Sequence, residues 1–338
     1  MSTPPSPPQP HHRPGGRFRN PWPGSVEHGF GDALKWMFER ARTGKLGFRA
    51  SGTPPNAVAA GPIAEHADPN ECRITWIGHS TFLIQIGGFN ILTDPVFADR
   101  ASPVTFAGPR RISPPGLALE SLPRIDIVLQ SHNHYDHFDT AAIRALARRA
   151  HTTVWCAPLG LAAPLRKLGV AHVTECDWLG SAEPIPGARV ECIPARHFSG
   201  RSLTDRNATL WCGWTLNAGS HRIYFAGDSA FHPDFAAVAQ RSGPFDAVFM
   251  PIGAYDPRWF MSAVHMDPEE AVAAFVALRS AHPAHPCVMA AMHWGTFVLT
   301  DEPVDEPPRR ARAAWEQSRL DPDALWIMAP GETRVVRR

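Results

Sequence analysis

The sequence predicts an α/β protein, and three observations carry that class. Short β-branched and aliphatic runs recur along the 338 residues, bounded by Gly, Pro, Asn or Asp. From residue 125 onward such runs alternate with helical patterns. Several of them end directly in histidine or aspartate, which puts polar chemistry at strand termini.

The length allows one large domain or two small ones. A formal net charge of +1 argues against a nucleic-acid partner, because no basic field exists to release counterions. Lysine occurs only at Lys35, Lys45 and Lys167, and the 35 prolines are about twice the usual share. Both features read as GC-rich bacterial coding. Cys72, Cys156, Cys176, Cys192, Cys212 and Cys287 are scattered without a CxxC pair, so they read as reduced core residues. No run approaches the ~20 apolar residues of a membrane span. Residues 1–16 lack the apolar centre of a signal peptide. The expected location is the cytoplasm, with peripheral contact at the inner membrane surface.

Residues 1–19 read as a disordered, proline-rich tail, His11 and His12 included. Residues 20–66 read as an extension containing an amphipathic helix over 29–43. Its apolar positions Phe30, Leu34, Met37, Phe38 and Ala41 predict docking on the body, or alternatively seating on lipid. Trp36 interrupts the polar side. The main domain, 67–338, opens with strands over 73–77, 81–86 and 90–93, turned at Gly78-His79-Ser80 and Gly87-Gly88. Asp94 ends the third strand, where it can orient a ligand histidine. The 97–115 loop carries Arg100, Arg110 and Arg111, either as a phosphate clamp or as surface solvation.

A buried strand over 125–129 leads into Ser131-His132-Asn133-His134-Tyr135-Asp136-His137. Imidazole and carboxylate are the usual ligands of zinc and related ions, and one ion needs about three of them. Four ligand-type side chains here, with more later, predict two ions. Residues two apart in extended backbone point the same way, so His132 and His134 can share an ion. A helix over 140–150, a strand at 153–156, a helix through Lys167 and a strand at 172–174 follow. The second half offers a strand at 190–194 ending near His197, and a hairpin of 210–217 with 222–226 that delivers Gly227-Asp228. A strand over 246–251 and an aromatic loop around Trp259 and Phe260 come next. Asp267-Pro268-Glu269-Glu270 is a strong helix start. A strand over 287–291 ends at His293; a helix over 309–319 and strands over 324–329 and 333–336 close the chain.

His132-x-His134-x-Asp136-His137, with Gly78-His79-Ser80-Thr81, Leu92-Thr93-Asp94-Pro95, Phe225-Ala226-Gly227-Asp228 and Met292-His293-Trp294-Gly295-Thr296-Phe297, resembles the metallo-β-lactamase superfamily. Within it the words resemble the N-acyl-phosphatidylethanolamine-hydrolysing phospholipase D (NAPE-PLD) group, over about residues 20–334. The resemblance implies an αββα sandwich, two mixed sheets flanked by helices. It also implies two Zn2+ per chain: one on His132, His134 and His197, the other on Asp136, His137 and His293, with Asp228 bridging. Asp136 and Asp228 would hold the ions around the attacking hydroxide. His79 would support the site from beneath. His265, Tyr135, Trp259 and Phe260 would face substrate. The implied activity is a phosphodiesterase that splits N-acyl-phosphatidylethanolamine into phosphatidic acid and N-acylethanolamine, in a membrane-associated homodimer. The short proline-rich N-terminus and Cys212 depart from the group. The chemistry alone also suits a lactonase or small-molecule phosphodiesterase on the same fold. A non-catalytic metal-binding scaffold is the reading from another class.

Overall fold

The computed structural model describes residues 9–337, apart from Gly24, Glu27, Leu46, Phe48 and Ala67. Its first elements are a ribbon of β1 (His12–Arg13) and β2 (Arg17–Phe18), then α1 (Phe30–Arg42). The first half continues with β3 (Cys72–Gly78), β4 (Thr81–Ile86), β5 (Phe89–Thr93), β6 (Ile127–Leu129), α2 (Thr140–Arg149), β7 (Val154–Pro158), α3 (Ala162–Lys167) and β8 (His172–Cys176). The second half contains β9 (Ser181–Ile185), β10 (Ala188–Ile193), β11 (Gly213–Ala218), β12 (His221–Phe225), α4 (Phe235–Ser242), β13 (Ala247–Pro251) and α5 (Arg258–Met261). It ends with α6 (Pro268–Arg279), β14 (Val288–Met292), α7 (Glu306–Gln317), β15 (Leu325–Trp326) and β16 (Thr333–Val336).

Two seven-stranded sheets result, ordered β16-β3-β4-β5-β6-β7-β8 and β15-β14-β13-β12-β11-β10-β9. Each has the same plan. In the first, β16 through β5 pair antiparallel and β5 through β8 parallel. In the second, β9 through β12 pair antiparallel and β12 through β15 parallel. Trp76, Phe82, Trp214, Phe225 and Phe249, all fully buried, pack in one core that spans both sheets. Leu83, Leu92, Val128 and Trp155 face the other way, onto Ile143, Leu146 and Leu165 of α2 and α3. This two-faced burial is why the strands read as continuous apolar runs. At roughly 1.5–3 kcal/mol for each large side chain, the core can carry a costly polar site at one end. Helix α6 begins as its sequence predicts: Asp267 caps Glu270 N at 2.9 Å, and the Glu270 side chain returns to Asp267 N.

Three expectations are corrected. Residues 1–8 of the expected tail lie outside the described residues, but 9–18 form an ordered ribbon. His11 Nε2 lies 2.7 Å and His12 Nε2 2.9 Å from the two oxygens of Asp177, and His11 stacks on Trp178 at 4.3 Å. The aromatic and carboxylate partners lie more than 160 residues away, so composition near the tail could not reveal them. Helix α1 docks by its polar side. Arg40 is buried and lies 3.2 Å from Asp301, whose carboxylate also accepts from Trp36 Nε1 at 2.9 Å. Leu34, Met37 and Phe38 instead face solvent, at 49, 55 and 69% exposure; the Phe30 side chain lies outside the described set. Two of the three arginines of the 97–115 loop brace its backbone, while Arg110 is exposed, as the solvation reading has it. Arg100 donates to Thr105 and Gly108 carbonyls and Arg111 to those of Val96 and Ala98, so neither is a free phosphate clamp.

Candidate metal centre

The carboxyl ends of the central strands meet at one edge of the sandwich, where open α/β sheets bind their ligands. β6 delivers the turn 131–137, β10 delivers His197, β12 delivers Asp228, and β14 delivers His293. The backbone there is bent to a degree that ordinary residues avoid. His79, Asp94 and His293 have φ of 55°, 28° and 61°. Gly227 is required at φ 60°: a Cβ would lie 2.5 Å from the Cys212 carbonyl and 2.9 Å from Ser131 Cβ.

Two imidazole groups assemble. His132 Nε2 and His197 Nε2 lie 2.9 and 3.1 Å from the same atom, His134 Nδ1. His79, Asp136, His137 and His293 form the second group. Asp228 stands between them, its Oδ2 3.1 Å from His137, 3.0 Å from His293, 3.7 Å from His197 and 3.9 Å from His132. The far ring nitrogens are fixed from behind. His132 Nδ1 donates to Ser131 Oγ at 2.8 Å, His137 Nδ1 to Asp94 Oδ2 at 2.7 Å, and His197 Nδ1 to the Val264 carbonyl at 2.9 Å. Asp94 also accepts from Ser131 N, Ser131 Oγ and Gln130 Nε2. His79 Nε2 meets Asp136 Oδ2 at 2.9 Å. Such outer bonds orient the rings so that the inward nitrogens offer lone pairs to a metal.

The donor set fits metal ions on its own terms. His137 Nε2 and His293 Nε2 are buried next to Asp228 yet aligned for no hydrogen bond, and Asp228 Oδ1 has no partner among the described residues. Left so, these atoms are costly; a cation at their common focus satisfies them. Burial, then neighbouring histidines, hold His132 well below the usual imidazole range. Burial similarly lowers His134 to about 3 and His197 to about 4, which keeps them in the neutral form that binds metal. His137 and His293 go the other way. Burial opposes it, but Asp228 and Asp136 outweigh burial and raise His293 to about 9. Buried carboxylates that draw protons onto their neighbours mark a site short of positive charge.

A cavity of about 240 Å³ opens over the cluster. His134, Asp136, His197, Asp228 and His265 line its polar end, and Trp36, Phe260, Met261, Val264 and Leu299 its apolar side. The structure therefore brings His265 and Phe260 to the cavity. Tyr135 and Trp259 are not in its lining. The Tyr135 hydroxyl donates to the Arg201 carbonyl at 2.8 Å under the Arg201 guanidinium, and Trp259 packs outside on Phe260 and Lys35. Sequence reasoning missed Ser131 and Gln130, although both flank the signature. It gave no site role to Asn20, whose Nδ2 donates to the His197 carbonyl at 2.8 Å.

Fold and donor set together define a metal-dependent hydrolase built on an αββα sandwich. Residues 89–294 match the model of the Beta-lactamase superfamily domain. An uncharacterized protein of Mycobacterium tuberculosis is 41% identical over 277 residues, covering 81% of this chain and 71% of its own. The N-acyl-phosphatidylethanolamine-hydrolyzing phospholipase D 1 of Caenorhabditis elegans is 39% identical over 234 residues, covering 67% of this chain and 64% of its own. Among solved structures, the metallo hydrolase Igni18 of Ignicoccus hospitalis superposes with a TM-score of 0.59 at 21% identity, over 80% of this chain and all of that one. The chain belongs to the metallo-β-lactamase superfamily.

Proposed function

We propose that this chain is a dinuclear zinc phosphodiesterase of phospholipase D type that cleaves N-acyl-phosphatidylethanolamine. The observation that carries the reading is the cavity: one end is the histidine and aspartate cluster, the other an apolar slot lined by Trp36, Phe260, Met261, Val264 and Leu299. The C. elegans relative bears that activity in its name. His132, His134 and His197 would hold one ion, Asp136, His137 and His293 the other, with Asp228 shared. When bound, such ions supply Lewis acidity and an ionised water at neutral pH.

The chain's own residues do the rest. Asp94 and Ser131 keep His132 and His137 in the ligating orientation. Trp36, Phe260, Met261, Val264 and Leu299 exclude water from the acyl chain and set its direction. His265, its ring 4.9 Å from that of His197, contacts the polar group between chain and phosphate. Water oxygen bonds to phosphorus, the bond from phosphorus to the ethanolamine oxygen breaks, and that oxygen leaves with a proton as N-acylethanolamine. Helix α1 adds a lipid-facing surface at the cavity mouth: Trp36 lines the slot while Leu34, Met37 and Phe38 point outward. Among the described residues no helix is long and apolar enough to cross a membrane.

The test combines metal counting with product identification. Purified protein should hold two zinc ions per chain and turn N-acyl-phosphatidylethanolamine micelles into phosphatidic acid and N-acylethanolamine. Asp228→Asn should cut that rate by at least about 10²–10³-fold. Intact lipid in the presence of two bound ions would exclude this substrate and direct the search to lactones and smaller phosphodiesters.

A further inference from the structure

We propose that Arg206 forms an anion-binding subsite at the cavity mouth, which takes the phosphate-bearing half of the substrate, and that the N-terminal ribbon holds it there. Arg206 carries the one fixed positive charge among the described residues that line the cavity. Its guanidinium lies 4.6 Å over the Phe198 ring, and no carboxylate or carbonyl among the described residues takes its nitrogens. Phe198 in turn meets His134 at 4.4 Å and His197 at 5.0 Å. The cation is thus stacked one aromatic layer from the ligand cluster, unpaired and exposed, on the same side as the apolar slot. An unpaired guanidinium on an aromatic face keeps its forked donors available for a phosphate. Arg201 illustrates the contrast: its guanidinium is committed to the Asn133 and Phe138 carbonyls.

The loop that carries Arg206 is closed by its own bonds, such as Asn207 N to the Ser199 carbonyl at 2.8 Å and Ala208 N to the Asp205 carbonyl at 3.0 Å, and is braced from the ribbon. Arg17 donates to the Arg206 carbonyl and, at 2.8 Å, to that of Thr204. Phe18 N donates to the Asn207 carbonyl at 2.9 Å. Asn20 fixes the backbone of His197 next to it. Residues 17–20, the second ribbon strand and the two residues after it, therefore brace both a candidate ligand and the loop of the cation. Phosphatidic acid, the product expected above, carries more negative charge at its phosphate than the diester. Arg206 should accordingly favour capture of the substrate and retain the phosphate product.

This inference rests on the phosphodiesterase reading for its substrate, but its test does not need turnover. The zinc-loaded protein is titrated calorimetrically with dihexanoyl phosphatidic acid and with neutral dihexanoylglycerol. Arg206→Gln should weaken the first by about five- to twentyfold and leave the second unchanged. Arg206→Lys should recover part of the loss, since it restores the charge without the fork. Added salt should weaken the wild type and barely affect Arg206→Gln. Arg17→Gln, which touches only the loop backbone, should weaken phosphatidic acid binding by a smaller factor. Equal affinity in wild type and Arg206→Gln, or no phosphatidic acid binding by the wild type, would overturn the subsite. Failure to cleave N-acyl-phosphatidylethanolamine alongside the expected affinity differences would overturn the phospholipase reading alone.

Discussion

The floor of the cavity and its rim are built on opposite principles. On the floor, His132, His137, His197, Asp228 and His293 are all nearly inaccessible, and His132, His137 and His197 each carry a second bond that fixes the ring. On the rim, α1 leans on Asp301, the ribbon on Asp177, and the Arg206 loop on Arg17. Phe38 and Trp259 are left 69 and 38% exposed. The floor is over-determined, as a site must be to hold strained backbone and several ligands in register. The rim is held by a smaller set of polar and aromatic contacts, among them Phe18 and Trp22 on the core and Trp36 on Phe260, with large apolar side chains left outside. Damage to the floor should therefore cost bound metal, whereas damage to the rim away from Asn20 should leave the metal in place.

Gly227→Ala is the harshest test of the floor. The new methyl would enter a left-handed backbone and collide with the Cys212 carbonyl and Ser131. Strain alone should cost about 1–3 kcal/mol, and the collision adds to it by displacing the peptide next to Asp228. A fall in Tm of several degrees, with loss of bound metal, is expected in thermal melts and metal analysis. An unchanged Tm would mean that the floor relaxes more easily than its packing indicates.

Asp94→Asn sharpens the same point with less violence. Asp94 touches no ligand position directly from the cavity side; it accepts from His137 Nδ1 and from Ser131, which accepts from His132 Nδ1. An amide nitrogen there would present a donor to one of these donors. Affinity for zinc should drop about 10–100-fold, the usual cost of losing such a partner, as read by competition with a chromogenic chelator. The fold should survive, because the core beneath does not depend on the charge.

How far each region was legible follows from where its information lies. The floor was legible because strand ends bring chemistry-bearing residues out in runs: His132 to His137 in one turn, then His197, Asp228 and His293 each after an apolar strand. The αββα architecture came with that resemblance, and the strand patterns matched it closely. The rim was illegible because its contacts join distant segments. Nothing near His11 announces Asp177, and nothing near Trp36 and Arg40 announces Asp301. Helical periodicity placed α1 correctly but inverted its docking face, since one half-buried carboxylate, Asp301, attracted the polar side. Strand β9 and helix α4 were missed as well: β9 is a half-exposed edge strand without a long apolar run, and α4 is only eight residues long.

The smallest predicted effect is a pH response confined to the rim. The His11 side chain is buried against Trp178, and burial lowers its pKa, with the attraction of Asp177 only partly offsetting this. A folded-state pKa below the unfolded value of about 6.5 means the unfolded form binds the extra proton first. The docking contribution is therefore full above about pH 6.5 and declines as pH falls below it. Amides of Phe18 and Arg19, which donate to the Asn207 and His11 carbonyls, should exchange roughly two- to fivefold faster at pH 5 than at pH 7.5, after correction for intrinsic rates. Amides of β4 should show no such change. His11→Gln, which cannot take the proton, should flatten the response; equal protection at both pH values in the wild type would show that Asp177 compensates burial fully and that the rim is as insensitive to acid as the core.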